Sequence, residues 1–364
     1  MRISEIETPA IVIDLDIMER NLQRVADYAR KYDLNLRPHT KTHKIPALAR
    51  KQMDLGAIGI TVAKVGEAEV MLAANPPEIY VAYPVIGQRK LERLMQVARQ
   101  TKVIVGLDSE FAARQLSDAA RRSQVEIGVL AEFDVGLNRV GVNPGEQLLA
   151  LGKVIANQPR LRLEGITFYP GHVKAADESA EPAIEALAAL LPRIITEWKR
   201  AGLPLNIVSG GSTPLLFQSH RIEGMTEIRP GTYIFNDKNT WNMSACGLED
   251  CAATIHTTIV STARPGQIII DGGSKTFSSD RLANSSEVSF GYFVDAPQAV
   301  LTKMNEEHGF VDVRNVNREF SVGDRLRVIP NHICVAVNLH EQLYGVRGDT
   351  VECVWPVAAR GKLQ

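Results

Sequence analysis

Cysteine is scarce: Cys246, Cys251, Cys334 and Cys353 are the only four, and none forms a Cys-x-x-Cys pair. That excludes a disulfide-stapled scaffold for a chain of this size, and three of the four read as plain buried thiols. Long apolar runs are also missing. No stretch approaches the roughly 20 residues of a spanning helix, and the start Met1-Arg-Ile-Ser-Glu-Ile6 lacks the apolar segment of a secretory signal. A cytoplasmic location, with no membrane partner, is the expectation. Neither charge sign dominates, since 41 Lys and Arg stand against 42 Asp and Glu and are scattered rather than clustered. The chain therefore has no basic stripe with which to bind nucleic acid, and small-molecule chemistry is favoured. Finally, no glycine-rich dinucleotide fingerprint follows the early strand candidates, which weakens a doubly wound sheet as the architecture.

What is present fits a globular chain of two domains, with 364 residues, 45% hydrophobic and 23% charged. From about residue 34 to 235, short β-branched runs alternate with amphipathic stretches, as βα units do. The strand candidates are Leu34–Lys41, Ala57–Ala63, Ile79–Val85, Lys102–Asp108, Val125–Asp134, Leu163–Pro170, Leu205–Thr213 and Thr226–Phe235. Eight such units predict an α/β fold, a TIM (β/α)8 barrel, with helices such as Gly66–Ala74, Ser109–Arg122 and Pro182–Arg200 between the strands. After about residue 245 the helical period fades, and Thr254–Val260, Gln267–Ile270, Arg325–Ile329 and Val351–Val357 read as strands. The expected division is a barrel over 17–245 and an all-β C-terminal domain over 246–364, with the alternating strand within 8–16 joining the latter.

In a TIM barrel the chemistry sits at the C-terminal ends of the strands. The first ends in Arg37-Pro-His-Thr-Lys41-Thr-His-Lys44, where Lys41 could be desolvated into a nucleophilic amine; a solvated basic loop is the alternative. The fifth runs into Asp134-Val-Gly-Leu-Asn-Arg139-Val-Gly141, whose glycines allow a tight turn around Arg139, otherwise a surface arginine. The last two end in Ser209-Gly-Gly-Ser-Thr213 and Arg229-Pro-Gly-Thr-Tyr233. Glycines followed by hydroxyl residues at these two strands are what a phosphate site requires, although turn glycines would explain each separately. His332 and Cys334 stand two apart, so in an extended strand both would leave one face, and imidazole with thiolate suits zinc.

Together these segments resemble the fold-type III pyridoxal phosphate (PLP) enzymes of the D-threonine aldolase and D-serine dehydratase family, distant relatives of alanine racemase. The likeness spans nearly the whole chain. It runs from Thr8-Pro-Ala-Ile-Val-Ile-Asp-Leu-Asp16 through the Lys41 motif to Pro330-Asn-His-Ile-Cys334-Val-Ala-Val-Asn338 and Trp355-Pro-Val-Ala-Ala-Arg-Gly-Lys362.

The resemblance implies that Lys41 carries PLP as a Schiff base and acts as base on the α-proton. It implies Arg139 near the cofactor's phenolic oxygen or the substrate carboxylate, and Arg229 at the pyridine nitrogen, where the family's aldolases have glutamine in some cases. Phosphate contacts fall to Ser209, Gly210, Gly211, Ser212, Thr213, Gly231, Thr232 and Tyr233. Tyr169, in Phe168-Tyr-Pro-Gly-His172, aligns with an active-site tyrosine, and His172 is either a displaced base or a loop histidine. His332 and Cys334 become metal ligands, zinc first, with manganese or magnesium as alternatives.

The implied activity is that of a lyase on small β-hydroxy D-amino acids such as D-serine, D-threonine and 3-hydroxy-D-aspartate. Because the family's aldolases carry His-Cys-Asp where this chain has His332-Ile-Cys334, dehydration to a 2-oxo acid and ammonia leads over cleavage to glycine and an aldehyde. Racemisation stands third, since Gly291-Tyr-Phe-Val-Asp295 only faintly echoes the second base of alanine racemases. The small PLP-homeostasis proteins on a related barrel lack the C-terminal β domain. A homodimer is the expected assembly, also by resemblance.

Overall fold

A computed structural model describes residues 1–283, 285–286 and 288–364. The alternating run at the start becomes strand β1 (Ala10–Asp14) and leads directly into the helix Leu15–Lys31. Eight short strands follow, each overlapping one of the apolar runs: β2 (Asn35–Leu36), β3 (Ile60–Val62), β4 (Glu78–Val81), β5 (Lys102–Leu107), β6 (Ile127–Glu132), β7 (Leu161–Thr167), β8 (Ile207–Gly210) and β9 (Glu227–Ile228). All pair in parallel, in the order β2-β9-β8-β7-β6-β5-β4-β3. The two outer strands are joined as well: Ile58 N donates to Leu36 O at 2.9 Å, Thr61 N donates to Pro38 O at 2.8 Å, and His39 bridges Thr61. These bonds close the sheet into the expected barrel.

The barrel strands end sooner than their apolar runs, for local reasons. Beyond Leu36 the chain meets Pro38, which has no N–H for a ladder, and then coils into a 3-10 turn over Thr40–Thr42. Past Ile228, Pro230 and Gly231 end β9, and Thr232–Ile234 form another 3-10 turn. The helices start where the sequence provides caps. Ser109 precedes Glu110–Ser123 and its Oγ accepts from Ala112 N at 3.3 Å, while Gln124 closes that helix in the left-handed region. The lumen holds Tyr80, Ile104 and Leu130, packed with Ala82 and Ile207.

The chain forms two compact units. The barrel unit comprises residues 24–41, 45–231 and 361–364; the β unit comprises 1–23, 42–44 and 232–360. In the β unit, β1 lies within a nine-stranded sheet with β10 (Ala253–Arg264), β11 (Gln267–Ile270), β12 (Gly291–Phe293), β13 (Val300–Met304), β14 (Gly309–Asp312), β15 (Arg325–Pro330), β16 (Gln342–Arg347) and β17 (Thr350–Pro356). As expected for the opening run, β1 joins the C-terminal strands, antiparallel to β10 and parallel to β16. Ile6, Ala10, Val12 and Val346 form a small core there, covered by Ile3, Tyr344 and Val351.

Two expectations for this region fail. The segment after Pro330 is not extended: Ile333–Leu339 is a helix, with His332 at its N-cap and Cys334 in its first turn. The shared-face argument for a strand therefore does not apply, and the two side chains meet through a helix start instead. Of the three cysteines read as plain buried thiols, only Cys251 is buried; Cys246 and Cys353 are partly exposed.

Candidate active site

In the barrel unit, Lys41 stands in the 3-10 turn that follows β2, on tightly held backbone. Arg37 N donates to Ile228 O at 3.0 Å and His39 N to Pro230 O at 2.9 Å. Thr40 Oγ1 donates to Thr61 O at 3.1 Å, and Lys41 N donates to His39 Nδ1 at 3.4 Å. The Lys41 side chain is exposed between buried Thr40 and Thr42, so it is not the desolvated amine expected from the sequence. It is a free amine on a fixed base.

Beneath the mouth, a chain of buried polar groups crosses the barrel. Arg37 pairs with Glu227 at 2.8 Å and with Glu78 at 2.7 Å. Ser209 Oγ donates to Glu227 Oε1 at 2.6 Å and accepts from Arg229 Nε at 2.7 Å. Arg229 also donates to Phe168 O at 2.9 Å and to Thr167 Oγ1 at 3.1 Å, and lies over the Tyr80 ring at 5.2 Å. With both sides of its hydroxyl engaged, Ser209 is reassigned from phosphate contact to holding Arg229. Burial pushes the Tyr80 phenol up to about 12. Glu132, at the end of β6, is pushed above the ordinary carboxylate range by burial, opposed by the charges of Arg229 and Arg139.

Arg139, Tyr169 and His172 come together from the loops after β6 and β7. The Arg139 guanidinium lies 4.8 Å above the Tyr169 ring, and the His172 ring packs over Gly136, where a Cβ would come within 3.4 Å of it. Gly171 permits the fold-back, because a Cβ there would sit 2.3 Å from Tyr169 Cε1. Arg139 and His172 are exposed, so neither is a buried, fixed group.

The loop after β8 tests the phosphate reading. Gly211 is buried at φ +92°, a conformation that favours glycine, and Ser212 is buried with its Oγ accepting from Leu215 N at 3.4 Å. Among the described residues, no hydrogen bond is made by the backbone N–H groups of Gly211, Ser212 and Thr213. Three successive donors with no protein acceptor are a cradle for an anion, and in this respect the residues fit the phosphate of PLP. Gly210 and Gly231 flank the two loops in the same unit; Thr232 and Tyr233 belong to the β unit.

In the β unit, His332 and Cys334 hydrogen-bond each other. Cys334 Sγ also lies 3.2 Å from Thr42 Oγ1 and 3.6 Å from Thr232 Oγ1. Thr42 is the residue directly after Lys41, and Thr232 directly follows Gly231. Burial would raise the Cys334 thiol, but the His332 charge and the hydrogen bonds from His332 and Thr42 bring it below its ordinary value. His332 is pushed up to about 11, first by the Cys334 thiolate, against burial, with Asp237 contributing. A thiolate beside an imidazole fits a soft divalent cation. No cluster of three or more His, Cys, Asp or Glu able to hold a metal occurs among the described residues.

Sequence reading missed the groups that hold these residues in place. Glu227, Glu132 and Tyr80 lie in or at the ends of apolar strand runs, and a charge in such a run was the available signal. Asp237, 3.2 Å from His332 Nδ1, is 95 residues away in sequence and gave none.

Comparison with known proteins agrees with this arrangement. Residues 13–239 match the family model for the alanine racemase N-terminal domain, and residues 252–346 match the serine dehydratase domain. The chain belongs to this alanine racemase-like family and is an enzyme of the lyase class. It is 32% identical to the D-threonine aldolase of an Arthrobacter species, over 99% of this chain and 94% of that one. It is 33% identical to the D-threo-3-hydroxyaspartate dehydratase of Delftia sp. strain HT23, over 90% and 91%. The crystal structure of D-threonine aldolase from Filomicrobium marinum superposes with a TM-score of 0.93 at 30% identity, covering 100% of this chain and 98% of that one. No helix among the described residues is long and apolar enough to cross a membrane.

Proposed function

We propose that the protein is a PLP- and metal-dependent lyase that dehydrates β-hydroxy D-amino acids, of the D-serine, D-threonine or 3-hydroxy-D-aspartate type, to a 2-oxo acid and ammonia. The observation that carries this reading is the His332–Cys334 pair, hydrogen-bonded and with its thiol lowered toward thiolate. When bound, PLP supplies an electron sink for charge at the α-carbon, and zinc supplies a Lewis acid for the departing hydroxyl. Lys41 would hold the cofactor, with the Gly211–Thr213 amides at its phosphate and Arg229 at its ring nitrogen.

The residues of this chain then divide the work. The Lys41 amine takes the α-proton, and its pinned backbone limits the positions from which it does so. Arg139 offers a guanidinium to the substrate carboxylate, with Tyr169 beneath it. Arg229 bears a permanent positive charge and is fixed by Ser209, Thr167 and Phe168, so it cannot give a proton to a ring nitrogen. A weaker sink at the ring is compatible with Lewis-acid help at the hydroxyl. Zinc is favoured over manganese or magnesium because the sulfur ligand is soft.

A second reading, retro-aldol cleavage to glycine and an aldehyde, is supported by the likeness to the Arthrobacter aldolase and by exposed His172, a candidate base for the β-hydroxyl proton. Metal dependence tests the leading reading. With D-serine as substrate, a chelator is expected to stop release of pyruvate and ammonia, and zinc to restore it. Full pyruvate release from metal-free protein would overturn the proposal.

A further inference from the structure

We infer that Asp237 is the positioning residue of the metal pair: its carboxylate holds the Nδ1–H of His332, which leaves Nε2 as the nitrogen that ligates. The inference rests on the metal reading above and goes beyond it by assigning a residue that is not a ligand. Asp237 is fully buried, and both of its oxygens are occupied. Oδ2 accepts from Ile333 N at 3.0 Å and lies 3.2 Å from His332 Nδ1. Oδ1 accepts from Thr240 N at 2.8 Å, while the Thr240 hydroxyl shares its one proton between the Asp237 carbonyl at 2.9 Å and Oδ1 at 3.1 Å. Both carboxylate oxygens are thus engaged by protein donors, which suits Asp237 to support His332 rather than to ligate a cation itself.

The same contacts fix the geometry. Asp237 is the N-cap of the short helix Lys238–Asn242, in a reciprocal capping box with Thr240. Through Ile333 N and His332 it also ties down the start of the helix Ile333–Leu339, which carries Cys334. One carboxylate therefore orients the imidazole and anchors the turn that presents the thiol. A carboxylate behind a ligating histidine is worth roughly 10- to 100-fold in metal affinity.

Asp237→Asn separates this role from a structural one. Asparagine is as good an N-cap as aspartate, so folding is retained. Its amide N–H2, turned toward His332, would make Nδ1 an acceptor and move the ring proton to Nε2, where it competes with the cation. Zn2+ affinity of the full chain would be measured by competition with a chromophoric chelator, beside the melting temperature of the metal-free protein. The expected result is a Zn2+ affinity lower by about 10- to 100-fold at a nearly unchanged melting temperature. Thr240→Val, which removes the side-chain half of the capping box, the bond from Asp237 N to Thr240 Oγ1, without touching His332, is expected to do the reverse. Affinity within twofold of wild type in Asp237→Asn, or equal losses in both variants, would overturn the inference. Wild-type protein that takes up no Zn2+ would instead overturn the metal reading itself, and this role with it.

Discussion

The barrel unit and the β unit each bury a network of charged and polar side chains, and the two networks end differently. In the barrel, Arg37, Glu227, Ser209, Arg229 and Thr167 bond one another in sequence, and each has a partner, although Arg37 Nη1 is buried without one. Such a chain holds the barrel mouth rigid and keeps Arg229 in one place. In the β unit, Asp237 is likewise engaged at both oxygens, but the groups it supports, His332 and Cys334, end in an imidazole and a lowered thiol with partly exposed surfaces. One network turns its charged groups on one another and fixes geometry; the other leaves soft donors available.

That contrast can be broken by substitutions in each part. The largest effect is expected at Lys41, which belongs to neither network. Lys41→Ala should lower turnover by about 10⁴-fold and remove the borohydride-reducible lysine adduct with PLP, while thermal stability stays near wild type. Retention of such an adduct would show that another lysine carries the cofactor. Next comes Glu227→Gln, which leaves Arg37 buried with its best partner lost. Breaking a buried pair this way costs about 3–5 kcal/mol, measurable as a lower denaturation midpoint. A change below about 1 kcal/mol would mean that Glu78 alone satisfies Arg37.

Cys334→Ala tests the open network. Activity should fall roughly 10²- to 10³-fold while stability and PLP binding hold, and the loss should persist at high zinc. A collapse in stability comparable with that of Glu227→Gln would place Cys334 among the structural groups. The smallest effect concerns His256, on β10, which burial and the neighbouring Arg327 hold neutral, with a pKa lowered from 6.5 to about 4. Below pH 6.5 the unfolded chain takes up this proton before the folded one does. Stability from this group is therefore full above about pH 6.5 and is lost as the pH falls toward 4, by about 2–3 kcal/mol. His256→Gln should flatten that acid limb in a pH series of unfolding curves; an unchanged limb would assign it to other groups.

Legibility followed the range of the interactions involved. The eight barrel strands could be read because each overlaps an apolar run bounded by turn residues, although Pro38 and Pro230 cut two of them to pairs of residues, Asn35–Leu36 and Glu227–Ile228. Likewise, β1 could be assigned to the C-terminal strands because its alternation precedes the first βα unit. In the β unit, β12, β13, β14 and β16 escaped notice, being short or, like β13 with Lys303, interrupted by an exposed charge. The spacing of His332 and Cys334 pointed to two side chains that do meet, but for the wrong reason, since a two-residue separation also brings side chains together at a helix start when a carboxylate ties the cap. Asp237 was illegible because nothing local marks a residue whose partner lies 95 positions on. Ser209 looked like a phosphate ligand by position, and only its two bonded neighbours reveal that its hydroxyl is engaged.

The most direct test of the account is the product formed from D-threonine by purified protein with PLP and zinc, because either bond of that substrate could break. The account predicts 2-oxobutyrate and ammonia in equal amounts, lost together in Cys334→Ala. Glycine and acetaldehyde would contradict it, showing that the thiol ligand does not direct the reaction toward loss of the hydroxyl.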